Sequence, residues 1–139
     1  MTVRWLDHTA DDGFIVEAGD LDLLFAEAAD ALAAMILADP TSVREQQARQ
    51  VSLQADTLES LLFDWLNELL WWFNGEQWIW RRAAVRVDRA ACRLAATARG
   101  EPFEPARHAT GPEIKAITWH HFGLCEDDHG WKATVIVDI

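Results

Sequence analysis

Two stretches of apolar residues at helical spacing constrain the fold of this chain more than any other feature. The first predicts a helix over residues 21–37, with Asp20 as its N-cap. The second starts with a capping-box-like pair, Asp56 and Glu59, and ends near Gly75. Each apolar stripe must be buried against another apolar layer. The wide stripe of the second helix consists of Leu58, Leu61, Leu62, Trp65, Leu66, Leu69, Leu70 and Phe73.

The other apolar segments read as strands bounded by turn residues. Residues 100–112 carry three of the four prolines and are predicted to form a loop. The order of elements predicts an α+β domain over residues 1–139, with two helices packed on a mostly antiparallel or mixed β-sheet. The predicted strands cover residues 3–6, 14–18, 44–53, 78–87, 92–99, 114–124 and 131–139.

Composition limits the class of protein. Half of the 139 residues are hydrophobic, which is typical of one globular domain. The net charge of −11 argues against direct nucleic-acid binding and fits a basic partner protein or a bound cation, although acidity can also serve solubility alone. With no signal peptide, no membrane-spanning run and two isolated cysteines, Cys92 and Cys125, we expect a cytoplasmic protein that does not enter membranes.

The densest acidic cluster lies near the N-terminus, after the first predicted strand. It contains Asp7, His8, Asp11 and Asp12 and is followed by Gly13. A turn is one explanation, because Asp and Thr side chains hydrogen-bond local backbone and glycine adopts unusual dihedral angles. The spacing does not match an EF-hand loop.

The last strand pattern continues to the final residue and places the α-carboxylate of Ile139 beside Asp138. If this strand lies near the acidic N-terminal loop, hard oxygen ligands from both ends converge. That composition suits Ca²⁺, Mg²⁺ or Mn²⁺. The alternative is an ordinary exposed Asp on a terminal strand.

The segment 113–122 contains adjacent histidines, His120 and His121. Strand alternation points them to opposite faces, so they cannot bind one metal ion without a bulge. His120 is expected to be half-buried and His121 to face solvent. We find no zinc-ligand spacing, nucleophile elbow or phosphate-binding loop, which favours a bound cation over a catalytic centre.

The chain has eight tryptophans and no tyrosine. Most are expected in the core. Trp71 falls on the polar face of the second predicted helix and is a candidate anchor for a partner protein.

Four segments, in the same order, resemble motifs of the archease family, and the resemblance covers nearly the whole chain. The family opens with Asp-His-Thr-Ala-Asp, found here at residues 7–11. A helical Leu-x-Asp-Trp-Leu-Asn-Glu-Leu motif is found at residues 62–69, and Lys-Ala-Ile-Thr-Trp-His at residues 115–120. The final strand ends in Asp followed by an apolar residue, here residues 138–139.

The resemblance implies a function that spacing alone does not give. Archeases are protein cofactors of RtcB-type RNA ligases, which seal RNA with GTP in tRNA splicing and RNA repair. They promote guanylylation of the ligase histidine and multiple turnover, and they are not enzymes themselves. The family's metal site, usually described as binding Ca²⁺, maps to Asp11, Asp138 and Ile139.

Other residues of the motifs become candidates for contact with the partner or for support of the metal ligands. They are Asp7, His8, Asp12, Lys115 and His120. The chain departs from the family pattern at Asp12, where Val is common, at Trp119, where Tyr is common, and at His121, where a small residue is often seen. The alternative function is that of a chaperone or modulator of another RNA-modifying enzyme, such as a tRNA methyltransferase. A metal-dependent hydrolase is less well supported, because no base or nucleophile is apparent.

Overall fold

The computed structural model describes residues 2–7 and 12–139. Within these ranges, one sheet has the strand order β1-β2-β7-β6 and a second sheet has the order β3-β5-β4. All of the strand pairs are antiparallel. The elements are β1 (Thr2–Asp7), β2 (Asp12–Ala18), α1 (Leu21–Ile36), a short 3-10 turn (Pro40–Ser42), β3 (Gln47–Gln54), α2 (Leu58–Asn74), β4 (Trp78–Asp88), β5 (Arg93–Pro102), β6 (Ala116–Asp127) and β7 (Gly130–Asp138).

The predicted fold class, α+β with two helices packed on antiparallel strands, is confirmed. The strands, however, divide between two sheets, whereas the sequence pattern suggested one. The chain passes from the first sheet to the second between β2 and β3, and returns through the segment 103–115 between β5 and β6. Local alternation predicts each strand, but it carries no information about which strands pair.

Helix α1 contacts strands of both sheets: β2 and β7 in the first, and β4 in the second. Its N-cap is Asp20, as predicted, and the Asp20 side chain accepts a hydrogen bond of 2.8 Å from the backbone N–H of Leu23. The exposed residues of this helix, among them Asp22, Leu23 and Asp30, form one solvent-facing stripe. Its buried residues are Leu21, Leu24, Phe25, Ala28, Ala29, Ala31, Leu32, Ala33 and Ile36.

Helix α2 contacts β6 of the first sheet and β3 and β4 of the second. The predicted capping box of Asp56 and Glu59 is wrong. Thr57 is the N-cap, and its side chain accepts a 3.0 Å hydrogen bond from the backbone N–H of Ser60. The carboxylate of Glu59 instead accepts a hydrogen bond from the backbone N–H of Leu124, so it links the first turn of α2 to β6. No helix in the described ranges is both long and apolar enough to span a membrane.

Two fully buried tryptophans fix α1 within the core. The indole N–H of Trp65, on α2, donates to the carbonyl oxygen of Phe25, and that of Trp80, on β4, donates to the carbonyl oxygen of Ala29. Both distances are 3.0 Å, and the two carbonyls lie one helical turn apart. Within the described part of the chain, every buried side-chain nitrogen and oxygen has a hydrogen-bond partner.

A buried ionic cluster holds the connection between the two sheets. Glu101, at 1% exposure, accepts hydrogen bonds from the Arg107 guanidinium and from the backbone N–H of Arg44. His108 Nδ1 accepts from the backbone N–H of Glu104, so in the neutral ring Nε2 carries the hydrogen and donates to Glu101 at 3.0 Å. The segment that leads to β6 is therefore tied to the end of β5.

These hydrogen bonds decide the ionisation of Glu101. Burial alone would raise the pKa of its carboxyl, but the hydrogen bonds from Arg107, Arg44 and His108, with the charge of Arg107, lower that pKa to about 2. A carboxylate whose pKa is lower in the folded state stabilises the fold above its unfolded pKa. That contribution is lost as the pH falls from the unfolded value towards the folded one.

We expect Gly13→Ala to destabilise the first sheet. A Cβ atom at Gly13 would lie 2.0 Å from the backbone oxygen of Val135, so β2 and β7 would have to move apart. The expected loss in the free energy of unfolding is about 1–3 kcal/mol, measured by urea denaturation. Gly19→Ala is the matched control, because a Cβ at Gly19 meets nothing within 4 Å. Equal stability of the two variants would contradict the argument.

We expect Glu101→Gln to lower the free energy of unfolding near neutral pH by about 1.5–3 kcal/mol, because charged hydrogen-bond partners are lost. The variant should also lose part of the wild-type decline in stability below about pH 4.5, since that decline includes protonation of Glu101. Urea denaturation across a pH series measures both effects. Glu104→Gln is the control: Glu104 is exposed and lies 3.4 Å from Arg107, so it should leave the pH profile unchanged.

Candidate functional site

The candidate site lies at one end of the first sheet, where β7 is flanked by β2 and β6. Asp12 pairs with Val137 on one side of β7, and Ala116 pairs with Asp138 on the other. The backbone N–H of Lys115 donates a 2.7 Å hydrogen bond to the carbonyl oxygen of Asp138. The sheet register therefore brings the start of β2, the start of β6 and the end of the chain together.

The acidic groups at this end do not all share one face of the sheet. Asp138 and Ile139 are exposed, whereas Val137 is buried on the face that packs on the helices. Because Asp12 is directly opposite Val137, its side chain leaves the sheet on the buried side, and that of Asp138 leaves on the other. Asp12 is thus an extra carboxylate at this end, but it does not point the same way as Asp138.

Three of the predicted site residues lie wholly or partly outside the described residues. His8 and Asp11 lie outside the described residues, and Asp7 is described only through its backbone pairing with Asp12. Among the residues in the described ranges, no group of three or more His, Cys, Asp or Glu side chains could hold a metal ion. The metal site formed by Asp11, Asp138 and Ile139 therefore stays a prediction.

Lys115 is exposed and lies beside the end of helix α2. With Asn67, Leu70, Trp71 and Asn74 it lines an open depression of about 310 Å³. The side-chain amide of Asn74 donates a 2.9 Å hydrogen bond to the carbonyl oxygen of Ile114. This hydrogen bond fixes the backbone that carries Lys115 against α2.

Strand β6 contains a large bulge that overturns the prediction for the two histidines. Thr118 pairs with Ile136 and Gly123 with Thr134, so residues 119–122 lie opposite Val135 alone. His121 adopts a positive φ of 56°. The predictions that His120 and His121 point to opposite faces and that His120 is half-buried are wrong. Their ring centroids lie 3.9 Å apart and both residues are exposed, as was expected for His121 alone.

Aromatic residues cluster around this bulge. Trp119 stacks on Phe63 of α2 with 4.0 Å between the ring centroids and 10° between the planes, and it remains 51% exposed. Phe122 contacts both rings edge-on. Trp71 is also exposed, as its position on α2 predicted. Trp119 is an exception to the expectation that most tryptophans lie in the core.

The sequence reasoning also missed the cluster of Glu101, Arg107 and His108. Its only sequence signal is the concentration of charged residues inside a segment predicted to be a loop. Because both Glu101 and His108 are buried and hydrogen-bonded to neighbouring protein groups, the cluster supports the fold and offers no open ligand position.

The sequence of this chain is similar to those of known proteins over nearly its full length. Residues 4–139 match the Archease protein family (MTH1598/TM1083). The chain is 38% identical to the protein archease of Methanosarcina acetivorans over 139 residues, which cover 98% of this chain and 94% of the relative. It is 33% identical to the protein archease of Pyrococcus abyssi in an alignment of 141 positions that covers 98% of this chain and 99% of the relative.

Two solved structures share the fold. The solution structure of Methanobacterium thermoautotrophicum protein 1598 superposes with a TM-score of 0.83 at 31% identity, covering 99% of this chain and 98% of that one. The crystal structure of a Thermotoga maritima protein, described as an archease and possible chaperone, gives 0.66 at 21% identity, covering 96% of this chain and 94% of that one. At that identity the second likeness supports the fold alone. The extent of the family match and the identity to its curated relatives show that this chain belongs to the archease family.

Proposed function

We propose that this protein is a metal-binding accessory protein that activates an RtcB-type RNA ligase in tRNA splicing and RNA repair. It would promote guanylylation of the ligase and multiple turnover. The observation that carries the proposal is the register of β2, β7 and β6. It gathers the first residue of β2, Lys115 and the C-terminal Asp138-Ile139 pair at one exposed end of the sheet.

The donor set suits a hard divalent cation. Asp138 supplies an exposed carboxylate, Ile139 supplies the terminal carboxylate, and Asp11 is the proposed third ligand. All are oxygen donors of the kind that Ca²⁺ prefers, with Mg²⁺ and Mn²⁺ as alternatives. A bound cation would supply a concentrated positive charge at this end of the protein.

The residues around Asp138 hold that end in a fixed position. The backbone hydrogen bond from Lys115 ties the end of β7 to β6, and the Asn74 amide ties the preceding residue of that segment to α2. The ammonium group of Lys115 stays free of these backbone bonds and can reach an anionic group of a partner. The net charge of −11 favours association with a ligase surface that is basic because it binds RNA.

We expect Asp11→Ala and Asp138→Ala to abolish most of the stimulation of a cognate ligase. The reason is that each removes one of three proposed cation ligands. The measurement is single-turnover guanylylation of the ligase with and without each variant. Asp128→Ala is the control, since Asp128 is exposed in the β6–β7 turn at the far end of these strands. Undiminished stimulation by both Asp11→Ala and Asp138→Ala would show that the proposed metal site has no role in activating the ligase.

A one-residue extension after Ile139 tests the terminal carboxylate separately. The extension moves the α-carboxylate and leaves every side chain in place, so we expect weaker Ca²⁺ binding in calorimetry together with reduced stimulation. Wild-type Ca²⁺ affinity in the extended protein would show that the terminal carboxylate is not a ligand.

The second candidate is a chaperone or modulator of another RNA-modifying enzyme, such as a tRNA methyltransferase. The observation in its favour is that the family whose model matches this chain is named in part after TM1083, the Thermotoga maritima protein that is described as a possible chaperone. Affinity purification from the source cells separates the two candidates. Recovery of a methyltransferase without a ligase would favour the second.

A further inference from the structure

Two exposed tryptophans share one surface between helix α2 and strand β6. Trp71 is 60% exposed and Trp119 is 51% exposed. We call this surface the tryptophan face and define it by Phe63, Asn67, Trp71, Lys115 and Trp119. Exposed apolar side chains that lie together form a patch of the kind that marks interaction sites, and tryptophan is enriched at the centres of protein interfaces.

Both indole rings are held in place by packing. A Cβ atom on Gly75 would come within 2.5 Å of Cε3 of Trp71, so the Trp71 ring lies directly over the glycine backbone. Trp119 is held by its stack on Phe63 and by its edge contact with Phe122. Rings that are already ordered lose little conformational entropy when a partner covers them, which favours tight binding.

The tryptophan face is continuous with the end of the sheet that carries Asp138. Lys115 lines the same depression as Trp71, and its backbone N–H is bonded to the carbonyl oxygen of Asp138. Trp119 lies four residues further along the same segment. The carboxylate of Asp138 leaves the sheet on the face away from α2, so a partner that covers both tryptophans reaches this carboxylate around the end of the sheet.

The charges around the face define the chemistry of its partner. Asp64 precedes Trp71 by seven residues, which places both on the same side of α2. Glu113 precedes Lys115 by two residues in the chain, and Asp138 lies on the neighbouring strand β7. Both side chains are exposed. The surroundings are mainly acidic, which disfavours a polyanion such as RNA and also a second copy of the same face. They are complementary to a basic protein surface with apolar pockets.

We propose that the tryptophan face is the surface through which this protein docks on the RNA ligase, with Trp71 and Trp119 as apolar anchors against a basic ligase surface. This inference rests on the proposed function. It separates two tasks: the tryptophan face sets the affinity for the ligase, and the Asp138 end sets the rate at saturation.

The test is a titration of ligase guanylylation with increasing amounts of each variant. For the double variant Trp71→Ala/Trp119→Ala, we expect the half-saturating concentration to rise about tenfold or more, as for interface hot spots, while the saturating rate is retained. Asp138→Ala should show the opposite pattern. Trp5→Ala is the matched control, because Trp5 is 53% exposed but lies on β1, at the opposite edge of the first sheet from β6.

Gly75→Ala displaces the Trp71 ring without removing it and should raise the half-saturating concentration as well. Circular dichroism melts of each variant establish that the fold is retained. An unchanged half-saturating concentration in the folded double variant would overturn the docking surface and leave the proposed function intact. A wild-type protein that neither binds nor stimulates the ligase would overturn both. A concentration-dependent dimer that the double variant abolishes, measured by analytical ultracentrifugation, would assign the face to self-association instead.

Discussion

The burial of helix α1 between two sheets is the constraint on which the rest of this structure depends. Most of the long apolar side chains of this helix are buried, and its alanines allow both layers to approach closely. Trp65 and Trp80 fill the space beside it and donate to carbonyl oxygens in successive turns, so these large side chains are buried without losing a hydrogen bond.

The position of the candidate site follows from that layer. The helices pack on one face of the first sheet, where Val135 and Val137 of β7 are buried, and β7 is an inner strand that pairs with β2 on one side and β6 on the other. The start of β2 and the start of β6 then meet at the end of β7. The buried Glu101 cluster holds the segment that returns the chain from the second sheet to Lys115. Glu101 is distant from the end of the sheet that carries Asp138, but it helps to support that end.

Much of the fold was predictable because the signals are local. The helical stripes gave both helices almost to the residue, and Asp20 was predicted correctly as a cap. The capping of α2 was not, because Thr57 and Asp56 are neighbours with similar capping preference and only the backbone conformation separates them. The orientation of His120 and His121 also failed, because a four-residue bulge breaks the alternation on which the prediction relied.

The sequence by itself determined the two helices, the strands, the order of the family motifs and the exposure of Trp71, since each depends on spacing along the chain. Tertiary structure alone decided how the strands divide between two sheets, that Asp12 and Asp138 leave opposite faces, that Trp71 and Lys115 line one depression, and that Trp119 stacks on Phe63. The physical reason is that these features depend on strand register, a bulge and contacts between distant segments, which the period of a local pattern does not specify.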